Sequence, residues 1–505
     1  MNTSRSRAMK YNMLSGWALE IFALISGLIL PRLVLTHFGS SANGLVSSIT
    51  QYLGFAVILR AGLGGVTRAA LYKPLAEKNV DQVSAIMVAT QSYMRKVAMI
   101  IAGYIAIIAA VFPLIAKSDY TWEYIFSMVL IIGSTTFADN FFGIKAKILL
   151  QADQKYYVQT LCALASNVAT FIISFVLIEL GCSIMIVKIG AAAGSFVCPV
   201  LLNLYIKRHY RLNMKIAPDN LSIQQRWHAF AQQMAIIVND NVALVLLTFF
   251  VDLKEISVYT VHNMIVVNLK RFVESCVNGV NSMFGDMLAK GERDALRKSF
   301  RFIEWAYLSV CTVIFSVTAV MFVPFIRIYT DSVTDVNYIR PLFAWLITAV
   351  CLMTCIRSPY QYLVEAAGHF KQTKNGSIME VVINITVSLI AIYFFGVIGV
   401  LIGALVATTI RTLQYMVYAT KKLLGVSVIN MVRVISTLLL VFGLSVLVSS
   451  LNIIPDSLNY LTWCLASIVV LIAIVVIVLL LSLIFNRSEL LVLKDKLFKK
   501  ENRNA

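Results

Sequence analysis

The stretch ISVYTVHNMIVVNLKRFVESCVNGVNSMFGD, residues 256–286, decides how the rest of the chain is read. Its apolar run is long enough to cross a bilayer, which takes about 20 residues rising 1.5 Å each. Lys270, Arg271 and Glu274 nevertheless sit just past its middle. An ionisable group at that depth costs roughly 2.5–3.5 kcal/mol on insertion scales, so it faces a bundle interior or a water-filled cavity. Lys270 and Glu274 are spaced i, i+4 and can neutralise one another on one helix face. Arg271 points about 100° away from Lys270 and cannot share that arrangement equally. A cationic cavity and a structural ion pair are the two readings this stretch leaves open.

Composition sets the class. Of 505 residues 59% are hydrophobic and 13% charged, with a mean hydropathy of +0.82. A soluble domain carries about 25% charge, so an all-α polytopic membrane protein is expected. The net charge of +18 does not mark a nucleic-acid partner, because the excess lies in short loops between apolar runs. Arg5, Arg7 and Lys10 precede an apolar run too long for the core of a cleavable signal, and the first helix reads as an uncleaved anchor. The eight cysteines (162, 182, 198, 276, 311, 351, 355 and 464) form no CxxC pair or zinc-type spacing. They read as small packing residues, and no metal or cofactor is expected.

Apolar runs and their breaks predict about 14 transmembrane helices. The first six are roughly 13–36, 44–66, 91–116, 122–146, 157–179 and 184–206. The next six are roughly 226–250, 256–284, 302–326, 340–366, 376–395 and 397–420, and two more follow at about 432–452 and 458–485. With the N-terminus in the cytoplasm, the segments on that side carry 32 Lys and Arg and the opposite face carries 6. That asymmetry places both termini inside. All six tryptophans (17, 122, 227, 305, 345 and 463) fall near the start of a span, as interface anchors do. The stretches 70–96 and 286–301 mix apolar and basic residues at helical spacing and read as connectors lying on anionic lipid.

Five cations remain at membrane depth: Arg60, Lys270, Arg271, Arg357 and Arg411. The acids at comparable depth are Glu20, Asp139, Asp240, Glu274 and Glu380. So many buried charges point to a polar pathway rather than a passive scaffold.

The chain also repeats itself. Residues 149–156 (LLQADQKY) align with 363–370 (LVEAAGHF) at an offset of 214, where Lys207-Arg208 also falls on Lys421-Lys422. Phe112-Pro113-Leu114-Ile115 falls on Val323-Pro324-Phe325-Ile326 near 211, and Leu75-Ala76 on Leu288-Ala289 at 213. Two parallel six-helix repeats around a central cleft are expected, 1–212 and 213–424, because an even helix number preserves orientation. Helices 13 and 14 (425–485) and a basic cytoplasmic tail (486–505) follow. At an offset of 212 Arg60 falls beside Lys270 and Arg271, so both halves place cations at one depth.

Catalytic signatures are missing. There is no GxxxxGK[ST] loop, no HExxH and no GxSxG, and the five histidines (37, 209, 228, 262 and 369) are scattered. The outer loops are too short to hold a saccharide for transfer, so an enzyme is not expected. His262 reads as a neutral packed or pore-lining imidazole.

Taken together, the helix number, the parallel halves, the missing ATP motif and the basic cavity resemble the multidrug/oligosaccharidyl-lipid/polysaccharide (MOP) exporter superfamily. Within it, ILPRLVLTHFGSSANGLVSSITQYLGF (29–55) and LRAGLGGVTRAALYKPLA (59–76) look like polysaccharide repeat-unit flippases of the Wzx type, which serve O-antigen or capsule synthesis. The resemblance implies movement of an undecaprenyl-diphosphate-linked oligosaccharide to the outer leaflet of a bacterial cytoplasmic (inner) membrane. It implies substrate-binding roles for Arg60, Lys270 and Arg271, with Arg32 a weaker candidate, and polysaccharide assembly proteins as partners. H+ or Na+ coupling would fall to Asp139, Asp240 or Glu380, which, with Glu274, are equally candidates for structural pairing with cations such as Arg357 and Arg411. The superfamily's drug-exporting branch relies on acids in helices 1 and 7. Glu20 and Asp240 occupy those helices, which keeps a cation-coupled multidrug (MATE-like) exporter as the alternative.

Overall fold

The computed structural model describes residues 3–56, 63–116, 120–153, 155–213, 215–219, 241–275, 277, 280–426, 429–451, 459–487 and 490. Every regular element among them is a helix. In chain order they are α1 (Thr3–Gly54), α2 (Leu63–Ala76), α3 (Val80–Ile115), α4 (Trp122–Ala152), α5 (Tyr156–Glu179), α6 (Ile184–His209) and α7 (Asn241–Phe250). Then come α8 (Leu253–Ser275), α9 (Val280–Ala289), α10 (Arg293–Tyr329), α11 (Pro341–Ala366) and α12 (Phe370–Phe395). The last are α13 (Val397–Leu424), α14 (Ile429–Ser450) and α15 (Tyr460–Phe485). Ten of the described helices are long and apolar enough to cross a membrane, and two shorter ones are apolar. The chain is a multi-pass membrane protein.

Some helix ends recur at a fixed spacing. Ala152 closes α4 and Ala366 closes α11; Tyr156 opens α5 and Phe370 opens α12. Both pairs are 214 apart. The first two expected spans are merged in α1, which bends at Gly39, where φ is 78° and ψ 176°. Only glycine adopts that backbone without strain. At 36 and 37 residues, α3 and α10 are each about 55 Å long at 1.5 Å per residue, well over the thickness of a hydrocarbon core.

Those long helices correct one expectation. The stretch 70–96 is no connector lying on lipid: it is the end of α2, a tight turn and the start of α3. Its apolar positions Leu71, Val83, Ile86 and Met87 are buried against Ile148, Leu149 and Leu150 of α4 and Leu202 of α6. Leu296 and Phe300, in the second connector, are likewise buried on α10. Protein rather than lipid takes these apolar faces.

The contacts divide the chain into two compact units, Met1–Ser257 and Val258–Ala505. In the first, the outer part of α1 meets the start of α8 so closely that a Cβ on Gly44 would lie 1.9 Å from the Leu253 carbonyl oxygen. Asn43 Nδ2 donates to Ser257 Oγ at 2.7 Å beside this approach. In the second unit, α12 and α13 form a hairpin seated on Gly399 and Gly403, a GxxxG spacing. A Cβ on Gly399 would lie 2.3 Å from the Ala391 carbonyl carbon, and one on Gly403 2.1 Å from Ser388 Oγ. Small residues at this spacing let helix backbones approach where lipid supplies no hydrophobic drive.

Outside the membrane, Tyr210 follows α6 and donates its hydroxyl to the Asp153 carboxylate, while Lys155 lies over its ring at 4.9 Å. Burial, then the bond to Asp153, pushes the Tyr210 hydroxyl well above the usual phenol range.

Candidate functional site

The cation-bearing helix is less simple than its sequence suggests. The apolar run 256–286 is not one helix: α8 ends at Ser275 and α9 begins at Val280. Lys270 and Arg271 therefore stand in the turn before the last of α8, whose final turn carries no basic residue. Lys270 Nζ lies 3.8 Å from Glu274 Oε1, with both side chains about one-third exposed. Arg271 is exposed and makes no ion pair among the described residues. So the two open readings divide between neighbouring residues. Lys270 is paired on its helix face, and Arg271 is presented outward from an adjacent one.

Three helices of the second unit assemble a buried charge cluster. Glu380 of α12 accepts a 2.7 Å hydrogen bond from Arg357 Nη1 of α11, and its other oxygen lies 3.7 Å from Arg411 Nε of α13. Arg411, at 2% exposed, is one of the largest fully buried side chains. Its Nη1 donates to the Thr373 carbonyl (3.0 Å) and Gln414 Oε1 (2.6 Å). Its Nη2 donates to Ser377 Oγ (2.7 Å) and Tyr415 Oη (3.0 Å), and the guanidinium carbon lies 4.1 Å from the Tyr415 ring centre. Gly376 makes room for this nest, since a Cβ there would lie 2.0 Å from Arg411 Nη1. A buried guanidinium is tolerated only when its donors are occupied in this way.

The remaining candidates are dispersed. Asp139 stands at a π-helical turn inside α4 and is bonded to Lys147, eight residues on. Arg32 is half-buried next to Pro31 in α1, and Glu20 is exposed on the same helix. Arg60 and Asp240 lie outside the described residues. His262 is packed, its Nδ1 at 2.8 Å from the Val258 carbonyl and its ring against Phe322 and Phe343.

Three features escaped the sequence reading. A π turn brings Lys147 back over Asp139, at a separation no regular helix would pair. Tyr360 of α11 donates to the buried Glu304 of α10. Glu304 sits two residues into a predicted span, where its acidity alone could have flagged it. Gly376 carries no chemistry of its own, and only the space it leaves reveals its role. Among the described residues, no group of three His, Cys, Asp or Glu side chains could hold a metal ion.

These features define an all-helical membrane protein whose described interior carries more cations than carboxylates to pair them, with Arg357 and Arg411 sharing Glu380. Its fold is that of transporters and flippases. Among solved structures, the lipid II flippase MurJ in an inward closed conformation matches 94% of this chain and 99% of its own length, with a TM-score of 0.69 at 17% identity. An inward-facing multidrug resistance MATE family transporter of the MOP superfamily matches 81% of this chain and 94% of its own, with a TM-score of 0.59 at 14% identity. A MATE structure in a bent conformation matches 87% and 98%, with a TM-score of 0.56 at 13% identity. At such identities the likeness is one of fold. No family model matches the chain, and no curated protein matches it in sequence.

Proposed function

We propose that this protein is a flippase that moves an undecaprenyl-diphosphate-linked oligosaccharide from the cytoplasmic to the outer leaflet of a bacterial cytoplasmic membrane, by alternating access, for surface polysaccharide synthesis. The observation that carries the reading is α8. This helix presents an exposed Arg271 beside a Lys270 that a single carboxylate neutralises. That leaves a positive charge for an anionic head group, bound by charge-assisted hydrogen bonds of the kind arginine makes with phosphate. Arg60 and Arg32 are the further cations assigned to the diphosphate. The likeness of fold to a lipid II flippase supports the same class of cargo. Residues 1–212 and 213–424 act as the two halves, with both termini cytoplasmic, and no covalent chemistry is assigned to the chain.

The fold shared with MATE structures supports the second reading, a cation-coupled exporter of small cationic compounds, in which Glu20 and Asp240 carry the coupling ion. The two are separated by one assay. Purified protein is reconstituted in liposomes with a fluorescent polyprenyl-diphosphate oligosaccharide, and leaflet exchange is followed by quenching. Exchange that requires the protein and collapses in Arg60→Ala and in Lys270→Ala/Arg271→Ala is expected. No exchange, together with efflux of a cationic dye that depends on Asp240, would overturn the flippase reading.

A further inference from the structure

The cluster on α11, α12 and α13 holds two guanidinium groups and one carboxylate, a formal charge of +1 among buried side chains. The surplus belongs to Arg357 rather than Arg411. Four N–H groups of Arg411 donate to neutral acceptors, Thr373 and Gln414 at Nη1 and Ser377 and Tyr415 at Nη2, and its Nε lies 3.7 Å from Glu380. Arg357 uses one edge only. Its Nη1 donates to Glu380, whereas its Nε is buried and donates to no protein acceptor. The Nε and Nη2 hydrogens form the fork with which arginine takes phosphate or carboxylate oxygens in bidentate fashion.

The setting of Arg357 points to water rather than lipid. Thr354, Arg357, Gln361 and Glu365 are all partly exposed, and their spacing of three, four and four places them on one face of α11. Gln361 Nε2 donates to Glu365 Oε1 at 2.8 Å within that stripe. The neighbouring α12 shows what an outward apolar face looks like in this chain, with Ile378, Met379, Val382, Leu389 and Ile390 exposed. A hydrocarbon-facing stripe would not carry an Arg, a Gln and a Glu in sequence. Arg357 lies nine residues before the end of α11, about 14 Å along the helix axis, so it is deeper than an interfacial anchor.

We propose that Arg357 is an anion-binding residue whose guanidinium is held on one edge by Glu380 and offers its other edge to a phosphate-type oxyanion. Glu380 and Arg411 are then positioning residues. Arg411, fixed in its nest on α13, orients Glu380, and Glu380 in turn fixes the plane of the Arg357 fork. Glu380 is accordingly not a coupling-ion acceptor, because two guanidinium groups already claim both of its oxygens. The assignment of this anion to a transported head group rests on the flippase reading. The oxyanion site itself does not.

The test uses the purified full chain in detergent, with binding of farnesyl diphosphate and of inorganic pyrophosphate measured by calorimetry and farnesol as the uncharged control. Arg357→Gln leaves the neutral Glu380–Arg411 pair in place and is expected to remain monodisperse. It is expected to weaken both diphosphates about tenfold or more, the equivalent of one charge-assisted hydrogen bond, and to leave farnesol unchanged. Arg357→Lys keeps the charge without the fork and is expected to recover part of the affinity, a recovery that a packing role would not produce. Competition by phosphatidylglycerol as effective as that by farnesyl diphosphate would support the oxyanion site and assign it to bilayer phospholipid. Arg357-dependent pyrophosphate binding without leaflet exchange would sink the flippase reading and leave the site standing. Diphosphate affinities within twofold of wild type in Arg357→Gln, or no saturable diphosphate binding by the wild type, would overturn the proposal.

Discussion

Replacing Glu380 by Gln removes the carboxylate that separates Arg357 from Arg411 and leaves two guanidinium groups around a neutral amide. The oxygens lost lie 2.7 Å from Arg357 Nη1 and 3.7 Å from Arg411 Nε. At an effective dielectric of about 20, those separations correspond to gross attractions of about 6 and about 4.5 kcal/mol. Desolvation offsets much of this, and removing one partner of a buried ion pair costs about 3–5 kcal/mol, because the remaining charge is left uncompensated. Arg357→Gln removes the surplus cation and keeps a neutral pair, so it should cost only about 1.5–3 kcal/mol, the worth of a hydrogen bond to a charged group. The double variant Arg357→Gln/Glu380→Gln removes the repulsion as well as the attraction, and should be more stable than Glu380→Gln alone. Unfolding free energies from detergent-titrated denaturation, with monodispersity followed by size-exclusion chromatography, read all three. The reasoning fails if Glu380→Gln costs less than Arg357→Gln, or if the double variant is the least stable.

Three further outcomes concern other positions in the chain. Gly399→Ala should destabilise the α12–α13 hairpin by about 1–3 kcal/mol, since the added methyl meets backbone at 2.3 Å and overpacking outweighs the helix propensity gained, at most about 1 kcal/mol. Gly443→Ala, with nothing within 4 Å of the new methyl, should be neutral or mildly stabilising in the same melts. Tyr210→Phe should cost about 1.5 kcal/mol through the lost bond to Asp153, equally at pH 6 and pH 9. The sign follows from the raised folded pKa of Tyr210: its stabilisation is fully present below the unfolded value near 10 and lost only above it. A loss that grows between pH 6 and pH 9 would refute that assignment.

The architecture was legible because its signals are long. Thirty-residue apolar runs survive small errors of boundary, and ten of the described helices are long and apolar enough to cross a membrane. What sequence missed is local. Apolar periodicity reads straight through residues 256–286, whereas the helix stops at Ser275, and only the stop explains why Lys270 and Arg271 stand near a helix end. Periodicity likewise cannot say whether Val83 and Ile86 face lipid or protein, since both surfaces are apolar. The charges Arg357, Glu380 and Arg411 were visible as membrane-depth residues. Their mutual arrangement was not, because it depends on three helices meeting and on Gly376 leaving space for a guanidinium.

The pairing of the acids bears on the choice between an anionic and a cationic cargo. A cation-coupled exporter needs a carboxylate able to exchange its counter-ion for a proton, a metal ion or a drug. Among the described acids at depth, Glu380 faces two guanidinium groups, Asp139 is bonded to Lys147, Glu274 lies beside Lys270 and Glu304 accepts from Tyr360, whereas Glu20 is exposed on α1. Recruiting Glu380 would leave Arg357 and Arg411 buried and uncompensated, at a cost of the same size as the attraction a new cation could offer. Arg271 and the buried, unpaired Nε of Arg357 stand on the other side, and an arriving oxyanion would relieve both without breaking an existing pair. The charges around Arg271 and Arg357 therefore suit an anionic group, while the exposed Glu20 is the described carboxylate on which the cationic reading turns.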